Sequence, residues 1–460
     1  MLSVEKLETI KLVGSGLVGS LLSIFLARRG YELEVFERRP DLRREAIAAG
    51  RSINLALSTR GIHALAQLGL ADEVLSQAIA MRGRMMHAPN GTLTYQAYGR
   101  TDDDCIHSIS RGDLNKTLLT HAEATGKVRV HFQHRVTRAD FDEGTLTGID
   151  ERTGASVNAT GDLLIGTDGG GSVLRAHAAA DPAFSQTEAF LDYGYKEFHI
   201  PPKPGGGFRL ESHVLHIWPR GSFMLIALPN FDGSFTCTLF LPWQGDISFA
   251  AFDALEAPGS VERFFETHFG DVLPLLDDVA ETFSKNPTGQ MATVKCSPWN
   301  VGARGLLLGD AAHAVVPFFG QGMNCGFEDC ALLDDFIAAS PRRWHRDLGT
   351  FARSRKPDAD AIADMAVANF VEMRDKVADP RFLLEKAIEK RLLNEFPGRF
   401  TSRYALVSFS RLPYRFAQDV GFVTDGILAE LAEGLTDAAA VDLERASALI
   451  TRKLEPLLGR

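Results

Sequence analysis

Ile10-Lys11-Leu12-Val13-Gly14-Ser15-Gly16-Leu17-Val18-Gly19 decides the fold of this 460-residue chain. A short buried-strand pattern runs into a glycine fingerprint, and an apolar helix follows to about Arg29. Gly30 stops that helix, and Tyr31-Glu32-Leu33-Glu34-Val35-Phe36-Glu37 alternates as a second strand. The result is a complete β-α-β unit. Gly14 lets the chain turn sharply out of the strand, Gly16 lets the backbone approach a pyrophosphate, and Gly19 lets the helix pack close to the sheet. The helix start offers unpaired N–H groups and a positive dipole to the phosphates. Glu37 ends the second strand about 20 residues on, where a carboxylate accepts hydrogen bonds from an adenosine ribose. It would repel a 2′-phosphate, so the pattern suits FAD or NAD better than NADP.

Two later segments narrow the choice. Leu163-Leu164-Ile165-Gly166 is an apolar strand that ends at Asp168-Gly169, with Ser172 and Arg175 beyond. Alone, this reads as a tight turn with a helix cap. Gly305-Leu306-Leu307-Leu308-Gly309-Asp310 is a third strand and turn, followed by Ala311-Ala312-His313. Small residues there let a large planar ligand approach the backbone. Pro317, Phe318 and Phe319 give a stiff apolar wall that ends at Gly320. Gly320 and Gly322 free N–H groups at the next helix start, where they would stabilise negative charge on a reduced flavin. The three segments, in this order, specify a flavin-dependent oxygenase better than a generic nucleotide binder. His313 reads as a residue packed beside the flavin chain rather than a base. No paired carboxylates or Ser-His-Asp set emerge, so no catalytic side chain is assigned beyond the wall Pro317–Gly320.

Composition bounds the rest. Hydrophobic content of 45% and charged content of 23% fit a soluble globular protein, and the length implies two or three joined domains. A net charge of −10 argues against nucleic acid as a partner. Cys105, Cys237, Cys296, Cys325 and Cys330 are odd in number and form no C-x-x-C, which implies reduced thiols, a cytoplasmic setting, and neither a zinc site nor a disulfide framework. Leu12–Ala27 resembles a signal peptide only superficially, since it contains the fingerprint and Glu5 and Glu8 precede it. The stretch from Asp425 to Arg460 is too often charged to span a membrane.

The expected architecture is α/β: a Rossmann-like FAD-binding domain interleaved with an antiparallel-sheet substrate domain, plus C-terminal helices. Residues 1–189 form the first part of the FAD domain, with 76–100 contributing to the substrate site. Residues 190–295 carry the antiparallel sheet, because His213–Trp218, Phe223–Pro229 and Phe235–Leu241 are strand-like and Asp232-Gly233 is a hairpin turn. Residues 296–380 return to the FAD domain, and 381–460 are a C-terminal helical region.

The fingerprint, the Asp168-Gly169 turn and the Gly309-Asp310-Ala311-Ala312-His313 segment resemble the single-component FAD aromatic hydroxylases of the para-hydroxybenzoate hydroxylase fold. Further segments resemble the kynurenine 3-monooxygenase family within that group. They are Phe36-Glu37-Arg38-Arg39-Pro40, Gly50–Ser58, Met81-Arg82-Gly83-Arg84-Met85, Gly194-Tyr195-Lys196-Glu197, Val316–Asn324 and Phe409-Ser410-Arg411-Leu412-Pro413-Tyr414. The match runs from about residue 8 to about 415, and the final stretch lacks the apolar tail of the animal enzymes. The resemblance places Val18, Glu37, Arg38, Arg39 and Ala56 on the adenosine side, with Val136 as an apolar adenine contact. It places Arg111 at the phosphate–ribityl region, Asp310 on a ribityl hydroxyl, and Met323 and Asn324 against the isoalloxazine. Asp168 joins the cofactor set. For substrate it implies Arg84, Tyr98, Asn369 and Tyr404, and Glu372 shares a helical face with Asn369. Phe370 stands where some relatives have tyrosine.

The implied activity is hydroxylation of L-kynurenine to 3-hydroxykynurenine. Bound FAD, transient NADPH and O₂ take part, and the protein is a monomer or homodimer with no membrane span. An arginine suits the substrate carboxylate, helped by a tyrosine hydroxyl. Two alternatives are a related hydroxylase of another anthranilate-like or phenolic acid, and a flavin-binding regulator without turnover. A halogenase is disfavoured because no W-x-W-x-I-P segment occurs.

Overall fold

Ile10, Leu12 and Val13 are buried in strand Thr9–Val13, which pairs in parallel with Leu163–Gly166 on one side and Glu32–Glu37 on the other. These three lie inside a sheet ordered Asn300–Val301, Gly305–Leu307, Leu163–Gly166, Thr9–Val13, Glu32–Glu37 and Val128–Phe132. All neighbours run parallel except the first pair. Parallel strands are covered on both faces and so read as apolar runs. Helix Leu17–Arg28 covers this sheet, and Leu17 and the residues from Gly19 to Ala27 are buried. The structure is a computed structural model that describes residues 9–45, 54–254, 259–373 and 379–459. Residues 50–53 of the Gly50–Ser58 segment lie outside those described.

The chain divides into two compact units. The first comprises Met1–Ala78, Ile109–Leu191 and Gln290–Ala363, and holds the parallel sheet. It also carries a small antiparallel sheet of His134–Asp140, Thr145–Asp150 and Ser156–Thr160, which the sequence pattern does not announce. Its core runs from the sheet through helices Gly322–Ala339 and Leu348–Val371.

The second unit comprises Ile79–Ser108, Asp192–Gly289 and Asp364–Arg460. Its strands Val214–Arg220, Phe223–Pro229 and Phe235–Pro242 form antiparallel hairpins, and Phe235–Pro242 pairs with Tyr193–Ile200. Gly233 turns the second hairpin at φ +90, and Asp232 Oδ1 accepts from Ser234 N at 3.0 Å. The sheet is mixed at one place, because Gly83–His87 runs parallel to Val214–Arg220 and antiparallel to Leu93–Ala97. Phe198, Phe235, Phe265 and Phe269 lead its core. Helices Pro380–Glu395, Arg403–Phe409, Tyr414–Leu431 and Leu443–Leu449 complete the chain. The architecture is α/β with a parallel nucleotide sheet, an antiparallel-type second sheet and C-terminal helices, as the sequence implied.

Candidate functional site

The three glycine-bearing segments of the first unit meet. Thr167 Oγ1 donates to Gly14 O at 2.8 Å, and Thr167 N donates to Val13 O. The Val18 side chain packs on the Gly309 turn, where a Cβ would stand 3.1 Å away. Each fingerprint glycine has its own reason. Gly14 has φ +94, and a Cβ there would lie 2.6 Å from Thr167 O. A Cβ on Gly19 would sit 2.0 Å from Gly14 O. A Cβ on Gly16 would meet nothing within 4 Å, so Gly16 borders open space. Gly16 also caps helix Leu17–Arg28 without a side-chain hydrogen bond, which leaves its first N–H groups for a ligand. An open cradle at a helix start fits a pyrophosphate.

Glu37 is buried at the end of its strand, 5% exposed. Its carboxylate accepts from Ser15 N at 2.9 Å and from Arg39 N and Nε at 2.9 Å. Burial pushes its pKa up, but Arg39 and the two backbone donors hold it below the usual value. Glu37 therefore stays ionised as an acceptor. Arg38 and Arg39 are exposed beside it. Arg111 is exposed at the start of helix Arg111–Ala124, and Val136 is buried in strand His134–Asp140.

Asp168 has a more local role. Its oxygens accept from Ser172 Oγ at 2.6 Å and Val173 N at 2.7 Å, so it caps the helix that follows. Burial pushes its carboxyl above the usual range. Arg175 then ties the segments together by donating to Gly170 O and to Ala311 O at 3.1 Å.

Beyond the Gly309 turn, Asp310 is exposed at the start of a short helix. Pro317–Phe319 form a single 3-10 turn, and Gly320 follows at φ +65. Helix Gly322–Ala339 begins without a side-chain cap, so its orphan N–H groups fit an anionic flavin edge. Met323 is buried. The Asn324 side chain donates to Ala56 O at 2.8 Å and Gly320 O at 2.9 Å, and accepts from Ser58 N at 2.9 Å. It fixes two backbone segments.

His313 is 2% exposed, stacks on Trp299 and lies 2.6 Å from Asp329 Oδ2. Arg355 Nε donates to Asp329 Oδ1 at 2.7 Å, and Gly309 N donates to Oδ2 at 3.3 Å. Burial lowers the His313 pKa, but Asp329 outweighs it and lifts the value well above the ordinary one. Burial would raise Asp329, yet His313 and Arg355 hold it at about 2. Cys325 joins His313 and Asp329 in a metal-like grouping, but Arg355 already donates into that carboxylate. The network braces the Gly309-Asp310 turn. Asp329 escaped the sequence reading because it belongs to no glycine motif.

In the second unit, Arg84, Tyr98 and Tyr404 come together from three separate stretches. The two phenol rings stack with centroids 5.2 Å apart and planes 14° apart. The Arg84 guanidinium lies 5.3 Å from the Tyr98 ring centre and 5.1 Å from that of Tyr404. All three residues are half-buried, yet Arg84 Nε and the Tyr98 hydroxyl are shielded from solvent and lack a hydrogen-bond partner among the described residues. Burial pushes both phenols up, so they remain neutral donors. Such a set fits a planar carboxylate. Glu372 lies 3.9 Å from Arg403, the residue before Tyr404. Asn369 is one turn before Glu372, with Nδ2 3.6 Å from Met373 Sδ. Among the described residues, no helix is long and apolar enough to cross a membrane.

This fold and this cofactor cradle define a flavoprotein of the FAD-binding class. A family model described as an FAD binding domain matches residues 6–366. Among solved structures, 2-methyl-3-hydroxypyridine-5-carboxylic acid oxygenase aligns with a TM-score of 0.64 at 21% identity, covering 83% of this chain and 96% of that one. The p-nitrophenol 4-monooxygenase of Pseudomonas putida DLL-E4 aligns with the same TM-score at 20% identity, covering 81% and 92%. Both likenesses support the fold. Kynurenine 3-monooxygenase of Myxococcus xanthus strain DK1622 is 57% identical over 457 residues, 99% of this chain and 98% of that protein. The enzyme of that name from Xanthomonas axonopodis pv. citri is 44% identical, covering 98% of each. The chain belongs to the kynurenine 3-monooxygenase family.

Proposed function

We propose that this protein hydroxylates L-kynurenine to 3-hydroxykynurenine, with FAD bound, NADPH as reductant and O₂ as co-substrate. The observation that carries the substrate is Arg84, a shielded guanidinium beside two stacked neutral phenols with Nε unpartnered among the described residues. Kynurenine brings the carboxylate that completes it. The 57% identity to a kynurenine 3-monooxygenase over nearly the whole chain supports the same reading.

Arg84 takes the substrate carboxylate, with the stacked Tyr98 and Tyr404 beside it as hydroxyl donors. Asn369 and Glu372 add polar groups at the end of helix Leu348–Val371. Gly14, Gly16 and Gly19 form the pyrophosphate cradle, and Val18, Glu37, Arg38, Arg39, Ala56 and Val136 form the adenosine side. Arg111, Asp310, Gly322, Met323 and Asn324 serve the ribityl chain and ring, while Asp168 shapes the turn beside them. Held there, FAD would supply acceptance of hydride from NADPH and activation of O₂. The substrate amino group already activates the neighbouring ring carbon, so the protein's share is positioning and exclusion of water, to which Pro317, Phe318 and Phe319 contribute. Residues 1–189 and 296–380 then carry the cofactor set, and 76–100 and 190–295 the substrate side, to which Asn369, Glu372 and Tyr404 add from later in the chain. The five free thiols support a cytoplasmic setting.

Anaerobic stopped-flow mixing with NADPH tests the reading. L-kynurenine should speed flavin bleaching, and the aerobic product should gain one oxygen atom. Bleaching indifferent to kynurenine but accelerated by another anthranilate-like acid would overturn the substrate.

A further inference from the structure

A side chain outside the fingerprint holds the glycine loop. Asn115 lies on helix Arg111–Ala124, one turn after Arg111, and is 6% exposed. Its Nδ2 donates to Ser15 O at 3.1 Å. The Ser20 hydroxyl lies 3.0 Å from the same carbonyl and 3.2 Å from Asn115 Oδ1. On the other side, Ser15 N donates to Glu37. Both backbone groups of Ser15 are therefore tied to buried partners.

This fixes the next peptide. A trans peptide points its carbonyl oxygen and the following N–H in opposite directions. With Ser15 O drawn toward Asn115, the Gly16 N–H faces away from it. The reversed peptide would aim a carbonyl dipole at the phosphates and repel them. We propose that Asn115 is a positioning residue for the dinucleotide: through the Ser15 carbonyl, it turns the Gly16 N–H toward the pyrophosphate. The inference rests on the glycine loop being the FAD phosphate site. It assigns Asn115 no contact with the cofactor.

The test uses apoprotein of the full chain. FAD affinity is read by quenching of flavin fluorescence, and ADP and adenosine affinities by calorimetry. Asn115→Leu removes the donor at similar bulk. It should weaken FAD and ADP by about tenfold each, the worth of one buried hydrogen bond, and leave adenosine unchanged. Ser20→Ala removes the second group at the same carbonyl with little loss of volume. It should weaken FAD by about threefold and serves as the arm if Asn115→Leu does not fold. Gly16→Leu fills the open side of the loop, and tests the loop itself. If Gly16→Leu binds FAD normally with an unchanged melting temperature, the phosphate site lies elsewhere. If Gly16→Leu loses FAD while Asn115→Leu and Ser20→Ala bind it as wild type, the positioning role fails alone. Equal losses of FAD, ADP and adenosine with a lowered apoprotein melting temperature would also overturn it, since that pattern marks a purely structural asparagine.

Discussion

Two arginines, one in each unit, are treated in opposite ways. Arg355 in the first unit is 3% exposed and surrounded by carboxylates: Asp329 at 2.7 Å, Glu328 at 2.9 Å and Asp358 at 3.7 Å. Arg84 in the second unit has two phenol faces and, among the described residues, no carboxylate partner. Leaving a shielded guanidinium without an anion is costly. The chain completes the charges that brace the Gly309-Asp310 turn and leaves open the Arg84 charge, which on the proposed reading meets the substrate. A buried ion that is already paired is a brace, and one that is not is a receptor.

The largest expected effect falls on the completed side. Asp329→Ala would remove the carboxylate that His313 and Arg355 share, leaving His313 without its acid partner and Arg355 with Glu328 and Asp358 alone, and should cost about 3–5 kcal/mol of stability. The urea midpoint of the apoprotein checks this. A midpoint within error of wild type would mean that the network is not a brace, and the contrast with Arg84 would collapse.

The open side should respond in binding and not in folding. Arg84→Met removes a cation that has no anion to lose, so the apoprotein midpoint should hold steady. Kynurenine affinity should fall by about a hundredfold, the cost of about 3 kcal/mol for losing a charge-assisted carboxylate pair. Arg84→Lys should recover little, since an ammonium does not reproduce the planar fork. Equilibrium titration of the oxidised holoenzyme measures both. Loss of FAD from Arg84→Met would show instead that this arginine belongs to the cofactor.

The two sides were unequally legible in the sequence. The cofactor cradle could be read because its chemistry is backbone chemistry. Gly14, Gly19 and Gly309 occupy places where a Cβ would clash or strain, and such needs leave a local signature. The brace at Asp329 was invisible because it joins residues 16 and 26 positions away through side chains alone. Ser156-Val157-Asn158-Ala159-Thr160 alternates polar and apolar positions, exposed and partly buried in turn, but its apolar side chains are small and the strand is short, so it was missed. Arg84, Tyr98 and Tyr404 became a set only through resemblance, since no spacing rule links three stretches of one chain. Their convergence is what the structure adds.

Acid should separate the units next. His87 in the second unit donates Nε2 to His216 Nδ1 at 2.8 Å, while His216 Nε2 donates to Glu211 O. Its Nδ1 faces Asp271 at 3.6 Å, and Arg220 donates to its carbonyl. Burial, with His216 beside it, pushes the His87 pKa down to about 4. The unfolded chain therefore takes up the proton first as pH falls. The contribution of neutral His87 is full above about 6.5 and drains toward about 4. A loss on the order of 2 kcal/mol is expected over that window, partly offset by the exposed Asp271. Asp329 loses its contribution only as pH falls toward about 2, and raised His313 keeps its own throughout. Hydrogen exchange at pH 5 should thus show loss of protection around Gly83–His87 and Val214–Arg220 before the parallel sheet. His87→Gln should flatten the difference, and simultaneous loss in both units would break the contrast.

The smallest effect concerns Phe370, which follows Asn369 in the chain. It is 4% exposed and meets the Tyr193 ring edge-on at 4.9 Å. Phe370→Tyr inserts a hydroxyl into that contact, which costs about 1 kcal/mol unless the hydroxyl finds a partner. If Phe370 is packing, the apoprotein midpoint should fall slightly while the kynurenine KM stays within about threefold, well under 1 kcal/mol. If instead the hydroxyl reaches the amino-acid end of the substrate, KM should fall with the midpoint unchanged. The split between those two readouts decides whether this position belongs with the braces or with the receptor.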